Sequence, residues 1–308
     1  MEKSAFIAIV GRANVGKSSL LNCVLGQKVA IVSAKPQTTR TRIMGVLTKN
    51  EAQLVFTDTP GMHKPKNKLG DFMVKSIADS VDNTDICMLV VDATDKDVRP
   101  AESDLIEKFN AFGMPAILVI NKIDLVDNKE VLLEKIAMFS ELYEWNAVVP
   151  VCAVTGEGLE DLLHELCNAA EEGPHFFPDD TLTDQPEKVI AAEIIREKLL
   201  RLLSDEVPHG IAIDIERMRE RTGAQEADER QGDIIDIDAT IYCERDSHKG
   251  IIIGKGGAML KRVGSYARED IEKFLGCKVN LKLWVKVRED WRNSSSNLRR
   301  FGFKDENA

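Results

Sequence analysis

The feature that most constrains the fold of this 308-residue chain is an eight-residue string that joins an apolar run to a helical stretch. The apolar run spans residues 6–10, and the string matches G-x-x-x-x-G-K-S with Gly11, Arg12, Ala13, Asn14, Val15, Gly16, Lys17 and Ser18. In such a loop, backbone amides and a helix N-terminus bind phosphates, the lysine reaches the β- and γ-phosphates, and the serine binds Mg²⁺. A glycine turn without a ligand is the alternative, which the strand-loop-helix setting disfavours.

Further short apolar runs alternate with helical stretches as far as about residue 170. They lie at residues 54–57, 86–91, 116–120 and 148–151. Strands separated by helices predict a mostly parallel sheet with helices on both faces, which is an α/β fold. A hydrophobic content of 44% is enough to build such a core.

A second nucleotide-binding element follows the run at residues 54–57. It consists of Asp58, Thr59, Pro60, Gly61 and Met62. Asp58 can hold Mg²⁺ through water, and the Gly61 amide can contact a γ-phosphate. Alone, this string could also be a plain turn.

A third element follows the run at 116–120 and consists of Asn121, Lys122, Ile123 and Asp124. A carboxylate at position 124 can accept hydrogen bonds from both N1–H and N2–H₂ of guanine, so the element favours GTP over ATP. Cys152 and Ala153 follow the last run. All these elements lie at the carboxyl ends of predicted strands, where open α/β sheets bind ligands.

The composition changes near residue 173. Residues 173–186 contain turn formers and little periodicity, so they predict a linker between a first domain, 1–172, and a second domain, 187–308. The net charge of the chain is −10, but residues 245–308 hold 15 basic and 8 acidic side chains, whereas residues 171–244 hold 8 and 20. The second domain therefore ends in a basic segment, which a solvated surface or a nucleic-acid partner would explain.

The periodicity of the second domain predicts a small α+β fold. It indicates a helix at 189–203, strands at 210–216 and 234–242, a helix after residue 258, and a half-buried strand at 278–287 whose outer face is basic. A glycine-rich loop precedes the second helix. The candidate RNA-binding residues of this loop and helix are Gly254, Lys255, Gly256, Gly257, Lys261 and Arg262. Trp284, on the basic strand, either packs on the sheet or stacks on a base.

The six cysteines are widely scattered and show no metal-binding spacing, which predicts reduced thiols in a cytosolic protein. No apolar run approaches the roughly 20 residues that a membrane helix needs. The first strand begins near residue 5, which leaves no room for a signal peptide.

Taken together, the three nucleotide elements resemble those of the P-loop GTPases. Cys152 and Ala153 are similar to the Ser-Ala element that backs the guanine in that family, although Cys152 replaces the usual serine. The glycine loop, its helix and its basic strand resemble the KH module, whose loop clamps about four single-stranded nucleotides. The order of the two domains resembles the bacterial Era GTPase family. Residues at 36–40, 173–174, 183–187, 193–198 and 206–208 carry the same resemblance, while Ala13 and Ser19 depart mildly from it.

The resemblance implies a GTP-hydrolysing switch that exchanges GTP and GDP and uses Mg²⁺. It implies that Thr39 joins Ser18 and Asp58 at the metal, and that Lys17, Asn14 and Gly61 act with Thr39 in catalysis. It also implies that the KH-like domain binds single-stranded small-subunit ribosomal RNA near its 3′ end, rather than DNA, and assists small-subunit maturation. Such a protein is cytoplasmic, and peripheral association with the inner face of the cell membrane stays an open alternative.

The residue after Gly61 is Met62, where Ras-like switches carry a glutamine that orients the attacking water. His63 is adjacent, but a lone loop histidine is more often simply exposed. By resemblance to GTPases with an asparagine at position 14, K⁺ is a candidate activator; the alternative is that Asn14 only favours a left-handed turn. The competing function class is a non-catalytic RNA-binding assembly factor with a structural nucleotide.

Overall fold

The computed structural model describes residues 1–35, 37–61, 68–73, 84–204, 207–221 and 234–303. The chain forms two compact units. The first contains Met1–Val32, Thr39–Pro65 and Met73–Asp184, and the second contains Ser33–Thr38, Lys66–Phe72 and Gln185–Ala308. The last passage from the first unit to the second follows Asp184, a position inside the predicted linker.

The described residues of the first unit form a seven-stranded sheet. Its strands are β1 Lys3–Val10, β2 Ile43–Lys49, β3 Ala52–Asp58, β4 Ile86–Asp92, β5 Ala116–Asn121, β6 Ala147–Val151 and β7 Glu171–Glu172. The order is β2-β3-β1-β4-β5-β6; β2 pairs antiparallel with β3, the other neighbours are parallel, and β7 pairs antiparallel with the start of β1. The predicted mostly parallel α/β sheet is confirmed.

In the described part of the first unit, the helices that cover the sheet include α1 Lys17–Leu25, α2 Pro100–Phe112, α3 Lys129–Ser140 and α4 Leu159–Ala169. Strand β4 shows why both faces are covered, since Met88 and Val90 belong to one apolar cluster and Cys87, Leu89 and Val91 to the other. The first cluster includes side chains of α1 and α4, and the second includes side chains of α2 and α3. Each fully buried Leu, Val or Met contributes about 1.5–3 kcal/mol to folding.

Residues 173–184 lie along the β2–β3 edge of this sheet. The buried side chain of Gln53 accepts hydrogen bonds from the backbone of Phe176 (2.8 Å) and Phe177 (2.9 Å) and donates one to the Phe177 carbonyl. The backbone N–H of Val46, in β2, donates to the Leu182 carbonyl at 2.8 Å. Most of the predicted linker is therefore anchored to the first unit.

The second unit contains the predicted helices and strands in the predicted order, together with two short helices, 246–253 and 295–300, that the periodicity did not predict. Its elements are α5 Glu187–Leu202, β8 Ala212–Glu220, β9 Ile234–Cys243, α6 Asp246–Ile253, α7 Ala258–Leu275, β10 Lys278–Val287 and α8 Ser295–Arg300. The sheet order is β10-β9-β8, with β10 parallel and β8 antiparallel to β9.

One core holds the second unit together. The helix predicted after residue 258 is confirmed as α7, and its residues Val263, Ala267 and Ile271 are fully buried in a cluster with side chains of α5 and β9. The alternation of β10 is confirmed as well, since its odd-numbered apolar residues pack against this cluster while Lys282 and Trp284 are exposed. Within the described part of the chain, no helix has the length and apolar content to cross a membrane.

Candidate nucleotide and RNA sites

The phosphate loop adopts a backbone that only glycine permits at two positions. Gly11 and Gly16 have φ of 144° and 103°, and α1 begins directly after Gly16. A Cβ atom on Gly11 would lie 2.4 Å from the Val90 carbonyl oxygen, and one on Gly16 would lie 2.2 Å from Asn121 Nδ2. The loop therefore packs against β4 and β5 closely enough to exclude any side chain there.

Lys17 is buried beneath this loop, with 6% of its surface exposed. Its Nζ donates to the carbonyl oxygens of Gly11 and Arg12, each at 3.0 Å. Burial lowers the pKa of Lys17 to about 8, although Asp58 acts in the opposite direction. Both acceptors are neutral, so a polyphosphate anion in the loop would stabilise the charged form of this lysine.

Three oxygen-bearing side chains meet beside Lys17. Ser18 Oγ donates to Asp58 Oδ2 at 2.6 Å and lies 2.9 Å from Thr39 Oγ1, and Thr39 Oγ1 donates to the same carboxylate oxygen at 3.4 Å. Asp58 is fully buried, and burial raises its pKa. Its other oxygen, Oδ1, has no hydrogen-bond partner among the described residues. Hard oxygen ligands with an unsatisfied carboxylate fit Mg²⁺.

Two side chains of the third sequence element, residues 121–124, bind backbone carbonyls of the phosphate loop. Asn121 donates to the Val15 carbonyl at 2.8 Å and accepts a hydrogen bond from the Ala153 backbone at 3.0 Å. Lys122 donates to the Asn14 carbonyl at 2.8 Å and pairs with Asp92 at 2.5 Å. These side chains fix the loop and the segment after β6 relative to each other.

Asp124 is exposed at the mouth of the site, on a short 3₁₀ turn that spans Ile123–Leu125. The buried thiol of Cys152 donates to Asp124 Oδ1 at 3.0 Å, and the Thr155 backbone N–H donates to the same sulfur at 3.4 Å. Cys152 therefore supplies a side-chain hydrogen bond to the carboxylate. The other carboxylate oxygen, Oδ2, takes no part in this hydrogen bond.

The element after β3 approaches the phosphate loop directly. A Cβ atom on Gly61 would lie 2.7 Å from the Ala13 Cα atom, and Thr59 Oγ1 donates to the Ile9 carbonyl at 2.8 Å. Pro60 is buried beside them. Pro36, Met62, His63 and Glu206, which the sequence analysis also singled out, lie outside the described residues.

One contact of the nucleotide site could not be anticipated from motifs. The Arg12 guanidinium forms an ion pair with Asp95, which also pairs with Arg99 at 2.6 Å and accepts a hydrogen bond on its carbonyl from Lys135 at 2.6 Å. The side chain of Arg12 thus anchors the phosphate loop to the segment after β4. Asp95 carries no motif that would have identified it.

The glycine loop of the second unit has open space at two of its glycines, whereas the phosphate loop is closed by packing against β4 and β5. Gly254, Gly256 and Gly257 have φ of 71°, 59° and 80°. A Cβ atom on Gly256 or Gly257 would meet no heavy atom within 4 Å, whereas one on Gly254 would lie 2.9 Å from the Met259 backbone nitrogen. Lys255 is exposed between them. The loop thus offers backbone and positive charge to an approaching anion.

A groove of about 410 Å³ continues from this loop between α7 and β10. Of the predicted RNA-binding side chains, Lys261 lines it and Arg262 does not; the Arg262 guanidinium lies over the Tyr266 ring at 5.6 Å. Sequence reasoning missed most of the lining. The lining residues are Gly257, Leu260, Lys261, Gly264, Ser265, Arg268, Asn280, Leu281 and Leu283. The spacing of three and four among the lining residues of α7 was the signal that could have indicated this face of the helix.

Comparison with known proteins finds a family match in each of the two units. A family model described as "50S ribosome-binding GTPase" matches residues 6–122, and a KH domain model matches residues 206–292. GTPase Era of Clostridioides difficile is 50% identical over 305 residues, covering 99% of this chain and 100% of the relative. GTPase Era of Alkaliphilus metalliredigens is 48% identical, covering 98% and 99%. The chain belongs to the Era family of GTPases.

Solved structures of the Era family match the whole chain. Era in complex with MgGDPNP and nucleotides 1506–1542 of 16S ribosomal RNA has a TM-score of 0.91 at 38% identity, covering 99% of this chain and 100% of that one. A variant of Aquifex aeolicus Era bound to GDP·AlF₄⁻ also has a TM-score of 0.91, at 39% identity and coverage of 98% and 100%. The predicted GTPase and KH-like folds are thereby confirmed, and with them the GTPase class of the enzyme.

Proposed function

We propose that this Era-family GTPase binds and hydrolyses GTP with Mg²⁺, and binds small-subunit ribosomal RNA near its 3′ end during assembly of the small subunit. The observation that carries the proposal is the presence of two different anion sites in one chain. One is the closed loop over Lys17 with Ser18, Thr39 and Asp58 at its side. The other is the open loop at Gly256 and its adjoining groove.

In the nucleotide site, Ser18, Thr39 and Asp58 would hold Mg²⁺, with Asp58 acting through water. The ion supplies positive charge at the β- and γ-phosphates, where hydrolysis develops negative charge. Lys17 binds the same phosphates from beneath, and its low pKa rises when an anion replaces the neutral carbonyls around it. The Gly61 amide, held against Ala13, binds the γ-phosphate and so distinguishes GTP from GDP.

Base recognition rests on Asp124. With Oδ1 bonded to Cys152, its carboxylate is held at one orientation, and it accepts the guanine N1–H and N2–H₂. Ala153 contributes its backbone behind the base, and Asn121 keeps that backbone in place. Adenine lacks this pair of donors, so the site selects GTP.

Hydrolysis is slow without a further positive charge, and we propose that K⁺ supplies it with help from Asn14. Asn14 lies in the phosphate loop with φ of 67°. We expect GTP turnover to be several-fold faster in K⁺ than in Na⁺ at equal ionic strength, and Asn14→Ala to abolish the difference. Met62→Ala should retain activity, because an apolar side chain cannot orient water.

Asn14→Gly separates the two roles of this residue. Glycine keeps the left-handed backbone but removes the amide oxygen. If Asn14→Gly retains the K⁺ stimulation, Asn14 serves only the turn. Equal rates in the two salts for the unmodified protein would refute the cation mechanism, and a large loss on Met62→Ala would show that another residue orients the water.

Turnover distinguishes this function from its competitor, an assembly factor that holds nucleotide without hydrolysing it. The decisive measurement is release of phosphate from GTP by the purified chain over many cycles, with ribosomal RNA present and absent. Cross-linking in cells followed by sequencing tests the RNA partner. Recovery of small-subunit ribosomal RNA near its 3′ end supports the proposal, and its absence from the bound RNA contradicts it.

We place the protein in the cytoplasm, where its RNA partner assembles, and expect it to bind single-stranded RNA in preference to DNA of the same sequence. The 2′-hydroxyl allows a protein to make that distinction. Fractionation of cells tests the location. Recovery with ribosomal particles supports it, whereas recovery with membranes would favour the alternative of peripheral association.

A further inference from the structure

The phosphate loop contains two charged side chains, and they have different partners. Lys17 lies beneath the loop, whereas the Arg12 guanidinium forms an ion pair with Asp95 in the segment after β4. The backbone of Arg12 contacts Lys17 at the same time, because its carbonyl oxygen accepts a hydrogen bond from Lys17 Nζ at 3.0 Å. Arg12 therefore links Asp95, a residue outside every nucleotide-binding motif, to the lysine assigned to the β- and γ-phosphates.

Asp95 is itself fixed by several partners. Its Oδ1 accepts hydrogen bonds from Nε (3.2 Å) and Nη2 (2.6 Å) of Arg99. Its carbonyl oxygen accepts one from Lys135 Nζ at 2.6 Å, and its backbone N–H donates to the Asp92 carbonyl at 3.2 Å. Only 11% of the Asp95 side chain is exposed. Asp95 is thus a fixed point to which the side chain of Arg12 is attached.

The end of β4 fixes the phosphate loop at a second point. Asp92 pairs with Lys122 at 2.5 Å, and Lys122 donates to the Asn14 carbonyl at 2.8 Å. The loop is therefore held on both sides of Ala13, the residue against which Gly61 packs. Because the Gly61 amide is assigned to the γ-phosphate, the two attachments together set where the loop lies relative to that contact.

Stability alone does not explain the charges around Asp95. Glu102 is fully buried, burial raises its pKa, and its Oε1 has no hydrogen-bond partner among the described residues. Lys135 is also buried, and burial lowers its pKa. Apolar side chains of similar volume often make a protein more stable than buried charges do. The benefit that offsets this cost is therefore positional, since the cluster holds Arg12.

We propose that Asp95 is a positioning residue for GTP hydrolysis that acts through Arg12, a role that rests on the proposed nucleotide function. The ion pair fixes the Arg12 backbone, and the Arg12 carbonyl then aligns the ammonium group of Lys17. Hydrolysis needs that alignment, because a misplacement of about 1 Å can cost roughly a hundredfold in rate. Binding needs it less, because the loop amides and Asp124 still contact the nucleotide.

The test compares Asp95→Asn with Asp97→Asn in the full chain, with Mg²⁺ and K⁺ present. Asp97 lies two residues away, is exposed, and its replacement changes the charge of the segment by the same amount. Rates are normalised to the sites that bind GDP, so that a loss of folded protein does not lower them. Asp95→Asn should lower kcat by about tenfold or more with KM within about threefold. Asp97→Asn should keep both within about twofold.

A double-mutant cycle shows whether Asp95 acts through Arg12. Arg12→Ala should lower kcat about as much as Asp95→Asn does, and it gives the same test should Asp95→Asn fail to fold. The double variant should be no slower than Arg12→Ala, because two residues that act through one ion pair do not have additive effects. Effects that multiply in the double variant would overturn the proposal.

Glu102→Gln tests whether the buried charges as such govern the rate. The Glu102 side chain accepts a hydrogen bond from the Arg99 backbone at 2.9 Å, which a glutamine oxygen can also accept. This variant should therefore keep kcat within about twofold. A loss equal to that of Asp95→Asn would show that the charge of the cluster, and not the ion pair with Arg12, sets the rate, and would overturn the positioning role.

The outcomes separate this inference from the GTPase function itself. If the unmodified chain releases no phosphate from GTP, the proposed function fails. If the chain hydrolyses GTP and Asp95→Asn does so equally fast, or if KM rises as much as kcat falls, only the positioning role is overturned.

Discussion

The two proposed phosphate-binding sites of this chain are built in opposite ways. In the nucleotide site, Lys17, Asp58 and Asn121 are all buried and bonded to other parts of the protein. In the RNA site, Lys255 and Lys261 are exposed. A buried polar group is costly unless it is satisfied, so the first site must be built before its ligand arrives. The second has open backbone and exposed lysines, which suit a longer and more variable ligand.

Because of this difference, we expect the addition of a single methyl group to have its largest effect on binding in the nucleotide site. Gly16→Ala places a methyl group 2.2 Å from Asn121 Nδ2 on a backbone with φ of 103°. Either the loop or Asn121 must move, which would cost about 4 kcal/mol, so we expect GTP affinity to fall by about a thousandfold. Equilibrium binding of a fluorescent GTP analogue measures it.

Gly26→Ala is the matched control. Gly26 ends the same helix with φ of 65°, and a Cβ atom there would meet no heavy atom within 4 Å. This variant should lose some stability and bind GTP within about twofold of the unmodified protein. Normal GTP affinity in Gly16→Ala would show that the loop is not preformed as the structure has it.

Asp124→Asn exchanges one acceptor for a donor at the base. The amide can no longer accept two N–H groups from guanine, so we expect GTP affinity to fall by about 10²–10³. Xanthosine triphosphate, which carries a carbonyl in place of the 2-amino group, should bind this variant more tightly than GTP does. A competition assay with GTP, ATP and xanthosine triphosphate measures the order. Equal affinity of the unmodified protein for ATP and GTP would contradict the assignment of Asp124.

In the RNA site the expected effect is smaller and depends on salt. Lys255→Asp with Gly256→Asp brings two carboxylates to the open loop, and we expect RNA affinity to fall roughly 10- to 100-fold with GTP binding unchanged. The slope of log Kd against log salt should decrease by about one, since one cation is lost. Fluorescence anisotropy over a range of salt concentrations measures both quantities.

Lys273→Asp with Gly276→Asp is the control for this pair. It changes the charge of the same unit by the same amount, and Gly276 resembles Gly256 in having a positive φ and no heavy atom within 4 Å of a Cβ position. Neither control residue lines the groove. Equal losses in the two double variants would mean that net charge, and not the glycine loop, governs RNA binding.

The same contrast explains what the sequence could predict. The phosphate loop and Asn121–Asp124 were predictable because each is a continuous segment whose local backbone creates the site. The groove was not, because Gly264 and Leu281 are brought together only by packing of α7 on β10. The anchoring of residues 176 and 177 by Gln53 was not predictable for a related reason, since these residues lie more than 120 positions from it in sequence.

The smallest expected effect concerns Cys152. Because its thiol donates to Asp124 Oδ1, Cys152→Ala should leave the carboxylate free to rotate and weaken GTP binding. A hydrogen bond to a charged group contributes about 1.5–3 kcal/mol, but a thiol is a weak donor, so we expect a loss of about five- to tenfold. Cys152→Ser restores a stronger donor of similar size and should bind GTP as well as the unmodified protein or slightly better.

Binding of xanthosine triphosphate sharpens this last comparison. In the Asp124→Asn variant, the Cys152 thiol can still donate to the oxygen of the new amide. The orientation of that amide side chain therefore depends on the same hydrogen bond. Cys152→Ala should then weaken xanthosine triphosphate binding by a similar factor. If Cys152→Ala binds both nucleotides normally in either background, the thiol only fills space beneath the base, and the orientation of Asp124 comes from the turn that carries it.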